Sequence, residues 1–311
     1  MSNFTFQPSK WVPFRDTEVL DRVRNIKRED MEKHPNPDFK IKVVADDELE
    51  LIFLADMFAR IKQSDDENKK VILILPNPAP TYKKLAFLIN KFNVNCRNLY
   101  TFNMDEWANE NGDIAPESYA QSFMNATKKF LYNEIEDKLK PPENHIQGPT
   151  TENIKDYSKM ITEMGEADAI YSGPGWTGHC AFIDPDVPEF AAESLEEWKK
   201  MGARVVTLNP FTIAQNSLHG SFGMSGDMGF VPPRAATIGP RDLLAAKFRM
   251  EMHGIATAGT FVSWQRMTSR LVLHGTVTPQ VPSSILQTVP TNVYVTETIA
   301  ANIEPLWKVQ Y

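Results

Sequence analysis

Val71-Ile72-Leu73-Ile74-Leu75 is an unbroken run of five branched apolar residues, set between Lys69-Lys70 and the turn-forming Pro76-Asn77-Pro78. A strand with one face in water alternates apolar and polar residues; one that is apolar at both parities suits burial on both faces, as inside a parallel sheet. Leu85 and Leu88 follow at helical spacing. Upstream, Ile41-Lys42-Val43-Val44 reads as a strand, and Leu51, Leu54, Ala55, Phe58 and Ile61 form one helical face behind the cap-like Asp46-Asp47. Further strands are predicted at Leu99-Tyr100-Thr101-Phe102, Ala169-Ile170-Tyr171, Arg204 to Leu208 and Asn292 to Val295, with a helix from about Pro116 to Leu131. This alternation predicts an α/β fold: one domain, doubly wound, with a mostly parallel sheet and helices on both faces. Ligands of such sheets sit beyond the carboxyl ends of the strands. Residues 1–40 show no clear period and read as an N-terminal extension, leaving 41–311 as the domain.

The formal charge of −7 is spread without a basic stripe, which argues against a nucleic-acid partner. No apolar run is long enough for a membrane span, and no secretory leader is visible. Cys96 and Cys180 lie far apart, as suits reduced thiols in a cytoplasmic protein. Glu193, Glu196 and Glu197 ahead of Lys199 and Lys200 predict an exposed helix or a lid-like insertion between 188 and 200.

Two segments after predicted strands collect the chemistry. In Thr101-Phe102-Asn103-Met104-Asp105-Glu106-Trp107, adjacent carboxylates at a strand end supply a candidate general base if one is desolvated; the alternative is that Asp105 only caps the next helix. In Gly173-Pro174-Gly175-Trp176-Thr177-Gly178-His179, three glycines allow close backbone approach, and His179 is a side chain able to move a proton near neutral pH. Asp184 is placed to orient it, although a purely structural histidine fits the pattern equally well. No His, Cys and carboxylate spacing suggests a metal site.

Phe102-Asn103-Met104-Asp105-Glu106, paired with Gly-x-Gly-x-x-Gly-His-x-Ala-Phe-x-Asp-Pro over 173–185, resembles the glucosamine-6-phosphate deaminase/isomerase family. Pro116-Glu117-Ser118-Tyr119, Ala214-Gln215-Asn216-Ser217 and Thr237-Ile238-Gly239 follow in the family's order, so the resemblance covers roughly residues 41–305. It implies the doubly wound single-domain fold shared with 6-phosphogluconolactonases, proton shuttling between C1 and C2 of an open-chain sugar by Asp105, and ring opening by His179. Glu106 and Asp184 complete the candidate catalytic group, and Asn77, Thr81, Gly173, Gly175, Thr177, Gly178 and Arg204 are the candidate substrate contacts. The resemblance implies a sugar as partner, self-association into a homo-oligomer, and no cofactor, since side chains alone carry the proton.

The chain departs from the family at definite places. Thr177 stands where an Asp usually precedes the Gly-His pair, and Asp184 is one methylene shorter than the family's Glu. The first strand-to-helix loop, elsewhere rich in Gly, Ser and Thr, is here Leu75-Pro76-Asn77-Pro78-Ala79-Pro80-Thr81, whose three prolines donate no N–H to an anion. Leu218 replaces the phosphate-binding Arg after Asn216-Ser217, and no Lys occurs between Lys247 and Lys308 to replace the family's late Lys; Arg266 and Arg270 are the candidate substitutes. The expectation is therefore an aldose-ketose isomerase or amino-sugar deaminase acting on a sugar without the family's phosphate recognition. The alternatives are a lactonase of the phosphogluconolactonase type and a sugar-binding or regulatory protein without catalysis.

Overall fold

The apolar run at 71–75 becomes the middle of the molecule. A computed structural model describes residues 4–76, 78–255 and 262–305. In chain order its first half holds α1 (Thr17–Arg24), β1 (Phe39–Val44), α2 (Glu48–Glu67), β2 (Val71–Leu75), α3 (Tyr82–Lys91), β3 (Leu99–Asn103), β4 (Asp105–Ala108), α4 (Phe123–Phe130), β5 (Ile146–Gln147) and α5 (Tyr157–Glu163). The second half holds β6 (Ala169–Ser172), α6 (Leu195–Trp198), β7 (Arg204–Thr207), α7 (Pro210–Asn216), β8 (Arg234–Thr237), α8 (Pro240–Ala245), β9 (Arg249–His253), α9 (Gln265–His274), β10 (Thr291–Thr296) and α10 (Glu297–Ala300).

Seven strands pair in the order β1-β10-β9-β6-β2-β3-β5, every pairing parallel. All five residues of β2 are buried. They divide by parity: Ile72 and Ile74 enter one apolar cluster, and Val71, Leu73 and Leu75 the other. The two clusters are the two faces of the sheet, each covered, which is why both parities had to be apolar.

The chain leaves this sheet after β3. Met104 still donates to the Leu75 carbonyl, and the next four residues form β4 in a separate antiparallel sheet ordered β4-β8-β7. The Arg204 strand therefore lies in this small sheet and not in the parallel one. Asp105 and Glu106 sit on a strand where the sequence suggests a loop.

Three local readings change. The helix expected from Pro116 begins at Phe123, behind Ser122, whose hydroxyl accepts the Asn125 N–H. The first forty residues contain α1, capped by Asp16 and packed along α9, where the Arg22 guanidinium donates to the His274 carbonyl at 2.9 Å. Phe14, Val23 and Met31 are buried there, so this segment is built into the body. The acidic 188–200 stretch is also pinned down: Phe190 and Trp198 are buried, and Glu189 bonds Thr207 and Arg234. Both cysteines are free and buried, and no helix among the described residues is long and apolar enough to cross a membrane.

Candidate active site

β3 and β6 run parallel on either side of β2, so their carboxyl ends deliver the two predicted segments to the same edge of the sheet. The small sheet ties the segments together. Thr237 of β8 is the register partner of Asp105, and its hydroxyl accepts the Phe182 N–H at 3.0 Å, three residues beyond His179.

Asp105 is buried, and among the described residues its carboxylate has no hydrogen-bond or ion-pair partner. Burial, with the adjacent Glu106 charge, pushes its pKa well above the usual carboxylate range. Glu106 has the opposite surroundings. Oε1 accepts N–H groups of Trp107 and Phe123 at 2.9 and 3.0 Å, and Oε2 accepts the Ser122 hydroxyl and the Met124 N–H at 2.8 and 2.9 Å. Burial raises its pKa while these four bonds oppose the rise. Glu106, not Asp105, is thus the carboxylate that serves the helix start, by meeting the otherwise unpaired N–H groups of α4.

His179 is buried in a ring of oxygens. Its Nδ1 lies 2.8 Å from Thr177 Oγ1, 3.1 Å from Thr212 Oγ1 and 3.0 Å from Asp184 Oδ1. Both threonine hydroxyls donate to Asp184 Oδ1, at 2.9 and 2.7 Å, and the Asn209 N–H donates to Oδ2. A hydroxyl has one proton, so each threonine, having given it to Asp184, can only accept from the imidazole. This network assigns the proton to Nδ1 and leaves Nε2 as the proton acceptor. Asp184 reaches the imidazole despite its shorter side chain, and Thr177 fills the missing carboxylate's place with a hydroxyl relay.

The glycines make room. A Cβ on Gly175 would fall 1.9 Å from His179 Nε2, and one on Gly173 would fall 2.6 Å from the Met252 carbonyl oxygen. Gly178 has φ +79°, a left-handed conformation that side chains disfavour. Gly175→Ala is expected to displace the imidazole and cost ~1–3 kcal/mol of stability, read as moved His179 ring resonances in NMR and a lower unfolding midpoint.

The remaining sequence-predicted residues are less directly engaged. Arg204 donates to the carbonyls of Glu189 and Gly202 and lies over Phe190, two strands from Asp105 in the small sheet. Thr81 starts α3, but its hydroxyl bonds Glu50 and not the helix backbone. Asn77 lies outside the described residues. Arg266 and Arg270 do not replace the family's Lys. Arg270 is fully buried, with its guanidinium on the carbonyls of Ile26, Arg266, Ile299, Ala300 and Ala301, and burial lowers it to about 10. Arg266 donates to the carbonyls of Ala301 and Asn302. Both cations hold the C-terminal end of α10.

Sequence reasoning missed the supports of the glycine loop. Thr212 completes the relay, Gln215 accepts the Trp176 N–H, and Gln265 and Thr268 of α9 donate to the carbonyls of Pro174 and Trp176. Gln215 falls inside a recognised motif, but Thr212, Gln265 and Thr268 carry no signal of their own. Behind Thr177 and Gly178, a cavity of about 220 Å³ is walled by Trp176, Phe211, Trp264 and Met267 together with the N-terminal Val12 and Phe14. Among the described residues no cluster of His, Cys and carboxylates is arranged to hold a metal.

A parallel α/β sheet with an unpaired buried carboxylate and an oriented histidine at its carboxyl edge defines the class. Comparison with known proteins then finds similarity to glucosamine-6-phosphate deaminases over part of their length. The chain is 31% identical over 175 residues to the glucosamine-6-phosphate deaminase of Phocaeicola vulgatus, covering 55% of this chain and 59% of that protein. It is 30% identical over 190 residues to that of Mannheimia succiniciproducens, covering 58% and 62%, and 29% identical over 215 residues to that of Clostridium acetobutylicum, covering 68% and 77%. The match thus spans about 60% of the length of the first two of these relatives. Among solved structures, a monomeric glucosamine-6-phosphate deaminase superposes with a TM-score of 0.68 at 20% identity, over 84% of this chain and 99% of that one. The 6-phosphogluconolactonase of Leishmania guyanensis gives 0.57 at 14% identity, over 86% and 99%. These structures share the fold. No protein-family model matches the chain.

Proposed function

We propose that the chain is an aldose-ketose isomerase or amino-sugar deaminase acting on a sugar that lacks the family's phosphate. The observation that carries the reading is Asp105: a buried carboxylate without a partner, raised in basicity, at the carboxyl edge of a parallel sheet. An unpaired buried carboxylate is unfavourable for folding, and proton transfer is the chemistry that such a group serves. In this reading Asp105 removes the proton from C2 of the open-chain sugar and returns it at C1. His179 exchanges a proton with the ring oxygen through Nε2, while Asp184, Thr177 and Thr212 hold its Nδ1 side. Glu106 positions α4 and takes no part in proton transfer.

Loss of phosphate binding rests on three features. Prolines occupy the strand-to-helix loop, Leu218 stands exposed at the position of the expected Arg, and on α9 the Arg270 guanidinium and the Nη2 of Arg266 are given to backbone carbonyls. A dianion needs charged or N–H partners that these positions do not offer. The related solved structure is that of a monomer, so the fold does not itself require self-association.

The test is incubation in deuterated water with aldoses and amino sugars, each with and without a 6-phosphate, following deuterium at C2, isomerisation and ammonia release. Exchange on unphosphorylated sugars is expected. Exchange confined to phosphosugars would overturn the altered specificity, and hydrolysis of a δ-lactone without any exchange would assign the site to lactone chemistry, as in the related 6-phosphogluconolactonase fold.

A further inference from the structure

Behind the glycine loop lies a cavity that the proton-transfer scheme does not use. His179 Nδ1 faces Thr177 and Thr212, whereas Nε2, the proton-exchanging nitrogen of the reading above, faces Gly175. Thr177 and Phe211, the chain neighbour of Thr212, stand in the cavity wall, so the cavity adjoins the Nδ1 side. Other parts of the wall come from distant segments: Val12 and Phe14 of the N-terminal stretch, Trp264 just before α9, and Met267 within it. The volume enclosed is about 220 Å³.

The wall fixes the chemistry of what fits. None of the described residues lining the cavity is charged. Its two side-chain hydroxyls have already given their protons away, Thr177 to Asp184 at 2.9 Å and Thr268 to the Trp176 carbonyl at 2.9 Å. Water is held firmly only by several polar partners, and a charge brought here would lose its hydration without compensation. Flat rings are the better complement. The indoles of Trp176 and Trp264 are within 15° of parallel with centroids 6.1 Å apart, and the Phe211 ring lies 6.3 Å from that of Trp176. Trp176 keeps 40% of its surface exposed, so part of this aromatic wall stands uncovered. Exposed aromatic surface joined to a concave apolar cavity marks a ligand site. An apolar cavity of roughly 150 Å³ takes up benzene, so this larger one has room for a fused bicyclic ring.

We propose that this cavity is a binding site for a neutral, flat aromatic molecule of bicyclic size, separate from the sugar site. The ring lies among Trp176, Phe211 and Trp264 and makes no ion pair. Because Trp176 adjoins Thr177, an occupant also restrains the backbone that carries the hydroxyl relay of His179. The site rests on the cavity and its walls and not on the identity of the reaction.

The test is calorimetric titration of the whole chain with indole, in wild type, Trp176→Ala and Met267→Trp. Wild type is expected to bind indole saturably, with the negative heat-capacity change of apolar burial. Trp176→Ala removes a ring from the wall and Met267→Trp fills the cavity, and each is expected to weaken binding by about tenfold or more. Unfolding midpoints establish that the variants are folded, and the part-exposed position of Trp176 keeps the test open should Met267→Trp not fold. Indole-3-acetate, the same ring with a carboxylate, is expected to bind more weakly by about tenfold or more. Glucosamine in excess is expected to leave indole binding unchanged. Absence of indole binding, or equal binding in wild type and the folded variants, would overturn the proposal. Equal binding of indole-3-acetate would overturn the neutral class of ligand, and competition by glucosamine would overturn the separation from the sugar site.

Discussion

Asp105→Asn is expected to abolish deuterium exchange at C2 while making the protein more stable. The amide is isosteric but cannot accept the substrate proton, and a positioned general base contributes about 10²–10⁴-fold. The stability gain has a separate origin. The native carboxyl is buried without a partner, so its pKa stands above the unfolded value. Its favourable contribution is then present only at acidic pH and is lost as pH rises through the folded pKa, leaving an unfavourable buried charge. A neutral amide removes that charge and should raise stability by roughly 0.5–2 kcal/mol, the usual scale for a single stabilising substitution. Thermal unfolding of both proteins at pH 5 and pH 8 checks the sign: the variant's advantage should widen with pH. Exchange that survives the substitution would remove Asp105 from the mechanism.

Glu106→Ala should produce the reverse pattern. Its carboxylate meets three backbone N–H groups and one hydroxyl, and truncation strands these donors in the interior at the beginning of α4. Each unmet buried donor costs about 1–3 kcal/mol, so a total loss on the order of 3–5 kcal/mol is expected after partial relaxation. That corresponds to a fall in the unfolding midpoint on the order of 10 °C. At a temperature where the variant remains folded, proton exchange should persist at a reduced level. Complete loss of exchange in a fully folded Glu106→Ala protein would return Glu106 to the catalytic group. The two substitutions are adjacent in the chain, and opposite outcomes would show that one carboxylate serves chemistry and the other the helix.

The contrast between these neighbours also marks how far residue types can be read. Both are carboxylates after the same strand, and nothing in Asp105-Glu106 says which is saturated with donors. The answer comes from Ser122 to Met124, some seventeen residues away, folding back onto Glu106. Arg266 and Arg270 teach the same lesson: as cations on a helix they were reasonable anion anchors, but α10 packs so that its last carbonyls take both. Glu251 and His253 give no sequence signal of their burial, because a polar residue in a strand usually marks an exposed edge, and only the strand order shows that β9 is internal.

By itself the sequence determined the class of fold, because five consecutive apolar residues at 71–75 suit a strand covered on both faces, and because the β-α alternation repeats around it. It also singled out two segments by residue types that are unusual at strand ends, adjacent carboxylates and a histidine among glycines, and the fold brings both to one edge of the sheet. The tertiary structure alone decided which of those groups are free to react. Hydrogen-bond partners come from distant segments, and a carboxylate, threonine or guanidinium acquires its role from the partners that packing brings to it.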